Sequence, residues 1–475
     1  MHLTESFAIG IYLSMLILIA IFSYRKNQSS SDFMLGGRKM NFWLTALAAH
    51  ASDMSSWIFM GYPVKIYNIG ISYIFVAFGL ILFMFLNWKY VSKKLRLETE
   101  KYQALTFSSY FESRYSDTSG MIRLLSAIVS FIFYSIYISA GFYGLGLLLE
   151  SLFQIPYHYG VSLGFFIVIP YLYIGGYITL AWTDFFQGMF LLFVILLVPI
   201  FATESIGGFS HLFEKLSEKN FFSQLIPEHS FYGLILAMMM MLSWGLGYFG
   251  QPHIVTKFMG IKEAEDTKKS KWVGMSWQIV TLAAATLVGM VAIEFFQTVD
   301  FEDQLIFVKM VKSLFSPFFS ALILCAILGT TITLADSQIL VLASCITEDF
   351  YKRILRKNAS SKELLTVSRL SILFVGLFSY AVAMQKISSI YELVEFAWFG
   401  LGSSFGPLIL FSLYSKSVNK QGAIAGIVTG CFLSILTPTM NAAYALTLPP
   451  MILAFFGSSL AIYTVSKWTT QREAV

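Results

Sequence analysis

Asp53 sits in the middle of "ALAAHASDMSSWIFMGYP" (residues 46–63), a stretch otherwise small and apolar enough to cross a lipid bilayer. An ionised carboxylate at that depth costs at least about 2.5–3.5 kcal/mol, so something must offset it. Ala49, Ala51, Ser52, Ser55 and Ser56 crowd around it. Small and hydroxylated residues hold a helix weakly, and a helix that breaks here frees carbonyl oxygens. Irregular backbone at membrane depth is tolerated only where it lines a cavity or is buried in protein. Freed carbonyls suit a hard cation such as sodium, and freed helix ends present dipoles to a zwitterionic solute. His50, one turn away, is either a packing histidine or a proton carrier, because its ordinary pKa lies near physiological pH.

Two further clusters carry chemistry. In "ILGTTITLADSQ", Thr330, Thr333 and Asp336 recur every three residues and share a helix face. A lone membrane threonine usually bonds back to its own helix, but three aligned oxygen-bearing residues point to a polar seam. In "MLSWGLGYFGQPHIVTKFMG", Gly245, Gly247, Gly250 and Pro252 interrupt an apolar run, and Trp244 and Tyr248 share a face. An aromatic pair beside a broken helix can wall a solute pocket. Asp184 lies near the edge of an apolar segment. Glu395 is a fourth acid in apolar sequence and is read as structural.

The elements that position these residues are membrane helices. The 475-residue chain is 57% hydrophobic and only 12% charged, about half the charge of a soluble domain. The net charge of +5 does not imply nucleic acid, because its distribution follows the membrane. Cys325, Cys345 and Cys431 lie in apolar segments, form no disulfide or metal pattern, and read as buried thiols. At about 20 residues per crossing, the stretches 5–24, 42–62, 69–88, 122–153, 159–178, 184–203, 230–251, 271–296, 317–345, 364–384, 389–414, 421–438 and 446–466 read as thirteen spans. The first has no basic leader and is followed by Arg25 and Lys26, which suits a retained span with its N-terminus outside. Alternating from there puts all but Lys65, Lys215, Lys219, Lys309, Lys312 and Lys386 of the 32 Lys and Arg on the cytoplasmic side. That count includes Lys257, read as the start of a cytoplasmic loop. Gly422, Gly426 and Gly430, at four-residue spacing, indicate close helix packing. The two interrupted spans lie five apart, the pattern of an inverted-repeat transporter with its site at the bilayer midplane.

At "SDFMLGGRKM", "ASDMSSWIFMG", "WTDFFQG", "WGLGYFGQPHI" and "ITEDFYK" the chain resembles the sodium/solute symporter family, its sodium/proline symporters in particular. The likeness runs from about residue 30 to 460. It implies an all-α membrane fold of broken-helix type: about thirteen helices, N-terminus outside, C-terminus inside, around two inverted five-helix repeats. The first helix and loop would be 1–40, the repeats 41–203 and 230–415, the intervening extracytoplasmic loop 204–229, and two peripheral helices with a short tail 416–475. The resemblance further implies a sodium site at the carbonyls of Ala51, Met54 and Thr330 and the hydroxyl of Thr333, with Asp53 as the neighbouring acid. It implies a proline pocket at Ser55, Tyr137, Trp244 and Tyr248, with Pro252 nearby. Asp184 would lie on the inward ion route, and Arg38 would serve coupling from the cytoplasmic side.

The departures bear on the ion. Leu334 stands where the family carries a second hydroxyl ligand, His50 and Ser56 where it carries glycine, and Asp336 where a hydroxyl is usual. Either sodium still binds, with Asp336 or water replacing the lost oxygen, or coupling has moved to protons through Asp336 or His50. The expected function is a symporter of the bacterial plasma membrane that imports a small amino acid, proline first, down a sodium gradient by alternating access. The only partners expected are solute, sodium or a proton, and lipid, with no cofactor and no nucleic acid. A proton-coupled symporter and a non-transporting solute sensor are the alternatives. No nucleophile motif, phosphate loop or metal spacing suggests an enzyme, and no repeated filter motif suggests a channel.

Overall fold

A computed structural model describes residues 3–24, 29–153, 155–226, 230–296, 301–386, 388–444 and 449–473. Arg25 and Lys26 of the charge pattern, and residues 446–448 of the last expected span, lie outside them. The chain forms helices α1 (Leu3–Tyr24), α2 (Ser30–Leu35), α3 (Phe42–Ala51), α4 (Trp57–Met60), α5 (Tyr62–Ile69), α6 (Ile74–Leu86) and α7 (Lys93–Lys101). There follow α8 (Phe107–Arg114), α9 (Met121–Phe153), α10 (Tyr157–Ser205), α11 (Gly208–Glu218), α12 (Phe231–Gly245), α13 (Pro252–Gly260) and α14 (Thr267–Phe295). The last are α15 (Ile306–Leu314), α16 (Pro317–Ser344), α17 (Ser361–Ala383), α18 (Ile390–Tyr414), α19 (Lys420–Tyr444) and α20 (Pro450–Glu473). Among the described residues there is no strand, only an isolated bridge between Met40 and Ile261.

Among the described residues, ten helical stretches are long and apolar enough to cross a membrane, and Thr4–Ile19, Phe42–Ala51 and Tyr157–Pro170 are shorter apolar helices. Helix occupies each of the thirteen expected stretches. The chain is a multi-pass membrane protein. Spans 159–178 and 184–203 differ from expectation in being one helical run, α10, kinked at Gly176 (φ 70, ψ −166). Glycine reaches that conformation without steric cost, so no loop is needed there.

Both expected interruptions are present. The first separates α3 from α4 over Ser52–Ser56. The second is a tight 3₁₀ turn, Leu246–Gly250, and the extended Gln251 between α12 and α13. Pro252 opens α13, where its missing N–H is harmless. The glycines of this second break permit close approach. A side chain on Gly250 would meet the backbone of Gly402 at 2.6 Å and of Gly406 at 2.5 Å, so α18 packs directly on the turn. The Gly422, Gly426 and Gly430 stripe does what its spacing suggested: any side chain there would collide with Ser466, Ile462 or the Ser403 carbonyl.

One residue of the charge pattern is misplaced by the sequence reading. Lys257 is a fully buried residue of α13, 2% exposed, and not part of a loop.

Candidate functional site

The site grows out of the first break. α3 ends at Ala51, and the Ser52 hydroxyl donates back to the Ala48 carbonyl at 2.7 Å. The Asp53 N–H then reaches the His50 carbonyl (3.3 Å), three residues back, and the Ile58 N–H takes Ser55 O (3.2 Å) in place of Met54 O. The next-turn ladder is interrupted, and the Met54 carbonyl loses its usual amide partner. Ser55 turns its hydroxyl onto the Trp57 N–H at 3.1 Å, which starts α4.

Asp53 is buried at this break, and its carboxylate accepts a hydrogen bond from the Tyr248 phenol of the second break. Gln278 Nε2 of α14 donates to the same phenol oxygen at 2.9 Å, and Asn87 Nδ2 donates to the Tyr248 carbonyl at 2.9 Å. Tyr248 is thereby held from three sides. Among the described residues no lysine or arginine forms an ion pair with Asp53. Asp53, Ser55, Tyr137, Trp244 and Tyr248 line one small cavity of about 20 Å³, closed also by Trp398. That is room for about one water. Pro252, by contrast, lies outside this lining, at the start of α13.

Thr330 and Thr333 are buried on α16, which touches α3. Their hydroxyls donate to their own helix, at Ile327 O (3.0 Å) and Gly329 O (2.9 Å). Donation uses the hydroxyl proton and leaves oxygen lone pairs available. Neutral hydroxyl and carbonyl oxygens are the ligand type that a hard cation takes. Asp336 is fully buried. At 3.6 residues per turn, three-residue steps drift by roughly 60° each, so Asp336 is well rotated from Thr330. It shares the side of α16 that carries Gly329, where Tyr12 of α1 and Gln187 of α10 pack.

His50 is buried against Trp88, Trp277 and Gly274. Its Nε2 accepts the Trp88 indole N–H at 3.0 Å, its ring stacks on Trp88, and Gly274 leaves room for it. With Nε2 accepting, the proton of the neutral ring sits on Nδ1. Arg38 ties three segments together, with Nη1 on Met259 O (2.8 Å) and Nη2 on Thr99 O (3.0 Å) and Ala104 O (2.8 Å).

Asp184 is not a lone acid. Lys257 Nζ lies 2.8 Å from Asp184 Oδ2 and 3.2 Å from Ser337 Oγ, with both charged groups sealed from solvent. The sequence reading missed Lys257, Gln278 and Asn87. A polar residue within an apolar run, as in "HIVTKFMG" for Lys257, was the available signal.

A family model described as "Sodium:solute symporter family" matches residues 33–430. The chain is similar to the "Sodium/proline symporter" of Staphylococcus aureus (strain JH9), 36% identical over 474 residues, covering 97% of this chain and 92% of that protein. Among solved structures it is similar to a substrate-bound, outward-open Na+-coupled sialic acid symporter, with TM-score 0.86, 19% identity and 98% of each chain covered. It is also similar to a nucleobase-cation-symport-1 family transporter in a closed conformation, with TM-score 0.57, 11% identity, and 94% and 96% covered. At those identities the structural likenesses speak for the fold. A transporter, rather than an enzyme, is what fold and relatives jointly indicate.

Proposed function

From the premise that the chain belongs to the sodium:solute symporter family, we propose that it imports L-proline or a close relative across the bacterial plasma membrane, coupled to sodium. The observation that carries this reading is Asp53: a buried carboxylate at a helix break, bonded to a neutral phenol and, among the described residues, to no lysine or arginine. In a low-dielectric bundle such a charge calls for a partner. A sodium ion held by the carbonyls of Ala51, Met54 and Thr330 and the Thr333 hydroxyl supplies it while bound. Leu334 removes one oxygen from that set, and a water or the bound solute's carboxylate completes it. The aromatic wall of Tyr137, Trp244 and Tyr248 takes the solute ring, and Ser55 stands at the broken helix end that faces the solute's charged groups.

Alternating access follows from coupling. Ion and solute stabilise the same arrangement of the two breaks, so each raises the affinity for the other. The two five-helix repeats, residues 41–203 and 230–415, then rock about the midplane, with the N-terminus outside and the C-terminus inside. Asp184, Lys257 and Ser337 tie the inner half of α13 to α10 and α16, a contact on the inward side of the site. Arg38 clamps the same end of α13 through Met259.

The staphylococcal relative's name supports proline as the solute. Radiolabelled proline uptake into proteoliposomes tests the reading, with sodium and proton gradients imposed separately. Accumulation under a sodium gradient at equal pH on both sides is the expected result. Drive by the proton gradient alone points instead to the proton-coupled alternative, and binding without uptake points to a sensor.

A further inference from the structure

A cavity of about 320 Å³ opens at the end of the bundle that the charge pattern assigns to the cytoplasm. Its wall is the turn between α7 and α8, α8 itself, the start of α9, and the π-helical continuation of α16 (Cys345–Leu355) with the residues just after it. Arg123, Lys352, Arg353 and Lys357 all line it, with Ser113 and the carboxylate of Glu348. Glu112 serves two guanidiniums at once: Arg123 Nη2 lies 2.7 Å from its Oε2, and Arg353 Nε lies 2.9 Å from its Oε1. Lys352 Nζ lies 2.8 Å from Glu348 Oε2. Asp349, buried, faces Arg123 Nε at 3.5 Å and accepts from the Thr106 hydroxyl at 2.7 Å.

Four cations, Arg123, Lys352, Arg353 and Lys357, thus meet three carboxylates, Glu112, Glu348 and Asp349. One positive charge is left over, and the exposed Lys357 makes no ion pair among the described residues. Two guanidiniums and two ammoniums around one cavity suit an anion with several oxygens. A guanidinium matches phosphate oxygens two at a time, and an ammonium adds a point charge. The same helical segment exposes Phe350, Ile354 and Leu355, an apolar surface on which an acyl chain can lie. An amino acid would bring its own ammonium against four cations, so this cavity is no station for the proposed solute.

We propose that the cavity binds the phosphate of an anionic phospholipid head group from the cytoplasmic leaflet. That leaflet carries negative surface charge, and basic pockets between membrane helices on that side take lipid head groups. A phosphodiester carries one negative charge, which equals the charge left over in the wall. Lys352, Lys357, Arg123 and Arg353 are its ligands, and Phe350, Ile354 and Leu355 carry its chains. A lipid held there ties α8 and the start of α9 to the end of α16. The site is separate from the Asp53 pocket, and the inference holds whichever solute is carried.

Dioctanoyl phosphatidylglycerol is the probe. Dioctanoyl phosphatidylcholine, with the same chains and no net charge, is the comparator. Each is titrated into purified full-length protein in uncharged detergent at constant ionic strength, with the unfolding midpoint as the readout, because a ligand of the folded state raises it. Phosphatidylglycerol should raise the midpoint saturably and phosphatidylcholine should not. Lys352→Gln/Lys357→Gln should need at least about tenfold more phosphatidylglycerol for the same rise, the scale of losing two cations near a membrane surface. Should that variant lower the lipid-free midpoint, Lys357→Gln alone serves in its place and should shift the titration in the same direction. Inorganic phosphate and glycerol 3-phosphate form the second arm, and at the concentration at which the lipid saturates they should leave the midpoint unchanged. An equal response to both lipids, or coincident titrations of the unaltered and variant proteins, overturns the site. A phosphate response as large as the lipid's makes it a site for a soluble anion and overturns the lipid assignment. No step of the titration needs transport, so its failure leaves the proposed function untouched.

Discussion

Asp53 and Asp184 are buried in the same helical bundle, yet they are neutralised differently. Asp184 has the Lys257 ammonium at 2.8 Å, with Ser337 completing the ammonium's contacts. Asp53 has the phenol of Tyr248, itself fixed by Gln278 and Asn87, and no ion pair among the described residues. The first is a closed structural pair that binds α10, α13 and α16 together. The second, on the proposed function, is a charge whose partner comes and goes. On the proposed function, the contrast divides the labour of one transport cycle between two carboxylates: one holds helices, the other holds cargo.

The comparison can be broken from either end. The largest expected effect is at Lys257. Lys257→Met strands a buried carboxylate, a change that costs about 3–5 kcal/mol, and should sharply lower the yield and unfolding midpoint of purified protein. Adding Asp184→Asn to that variant should recover most of the midpoint, since removal of both charges leaves no orphan. If the single variant is as stable as the unaltered protein, the pair is not structural.

Asp53→Asn comes next and should behave in the opposite way. It removes a charge that lacks a fixed partner, so folding should survive while sodium-driven uptake falls by about 100-fold, equivalent to about 2.7 kcal/mol. A variant that loses stability but keeps sodium dependence would reverse the roles assigned to the two acids. Smaller still is the effect at His50. Because its ring accepts the Trp88 N–H, His50→Gln should reduce uptake through packing alone. The pH profile of uptake between about 5 and 8, the range in which histidine titrates, should keep its shape.

Asp117, outside the membrane-spanning segments, gives the solvent-side counterpart of the comparison. Burial acts to raise its pKa, but hydrogen bonds from Ser119, the Ile122 N–H and Lys420 outweigh it and hold the carboxyl at about 2. A depressed folded-state pKa contributes stability that is fully present above the ordinary carboxylate range and is lost as pH falls through about 2. The unfolding midpoint of the unaltered protein should therefore exceed that of Asp117→Asn at pH 5, and the gap should narrow toward pH 2. A constant gap would mean the contact does not depend on charge.

Much of this was legible in the sequence, for reasons of physics. The break at Ser52–Ser56 could be read because small and hydroxylated residues flank a membrane-depth acid. The break at Leu246–Gly250 could be read because glycines and Pro252 interrupt an apolar run. The close packing at Gly422, Gly426 and Gly430 followed from spacing. What sequence spacing does not encode is which distant side chain reaches a given charge. Lys257 counted as a loop lysine because its partner lies 73 residues earlier in the chain. Asp336 was grouped with Thr330 by a three-residue period, yet the drift of the helix turns it toward the side that Tyr12 and Gln187 cover. Gln278 and Asn87 gave only the weak signal of a single amide in apolar sequence.

The most direct test of the missing counter-charge is radiolabelled sodium binding to purified protein, with the unaltered chain set beside Asp53→Asn and the Asp184→Asn/Lys257→Met double variant. The expected result is saturable binding that proline enhances in the unaltered protein and in the double variant, and its loss in Asp53→Asn. Undiminished sodium binding by Asp53→Asn would contradict the role given to that carboxylate.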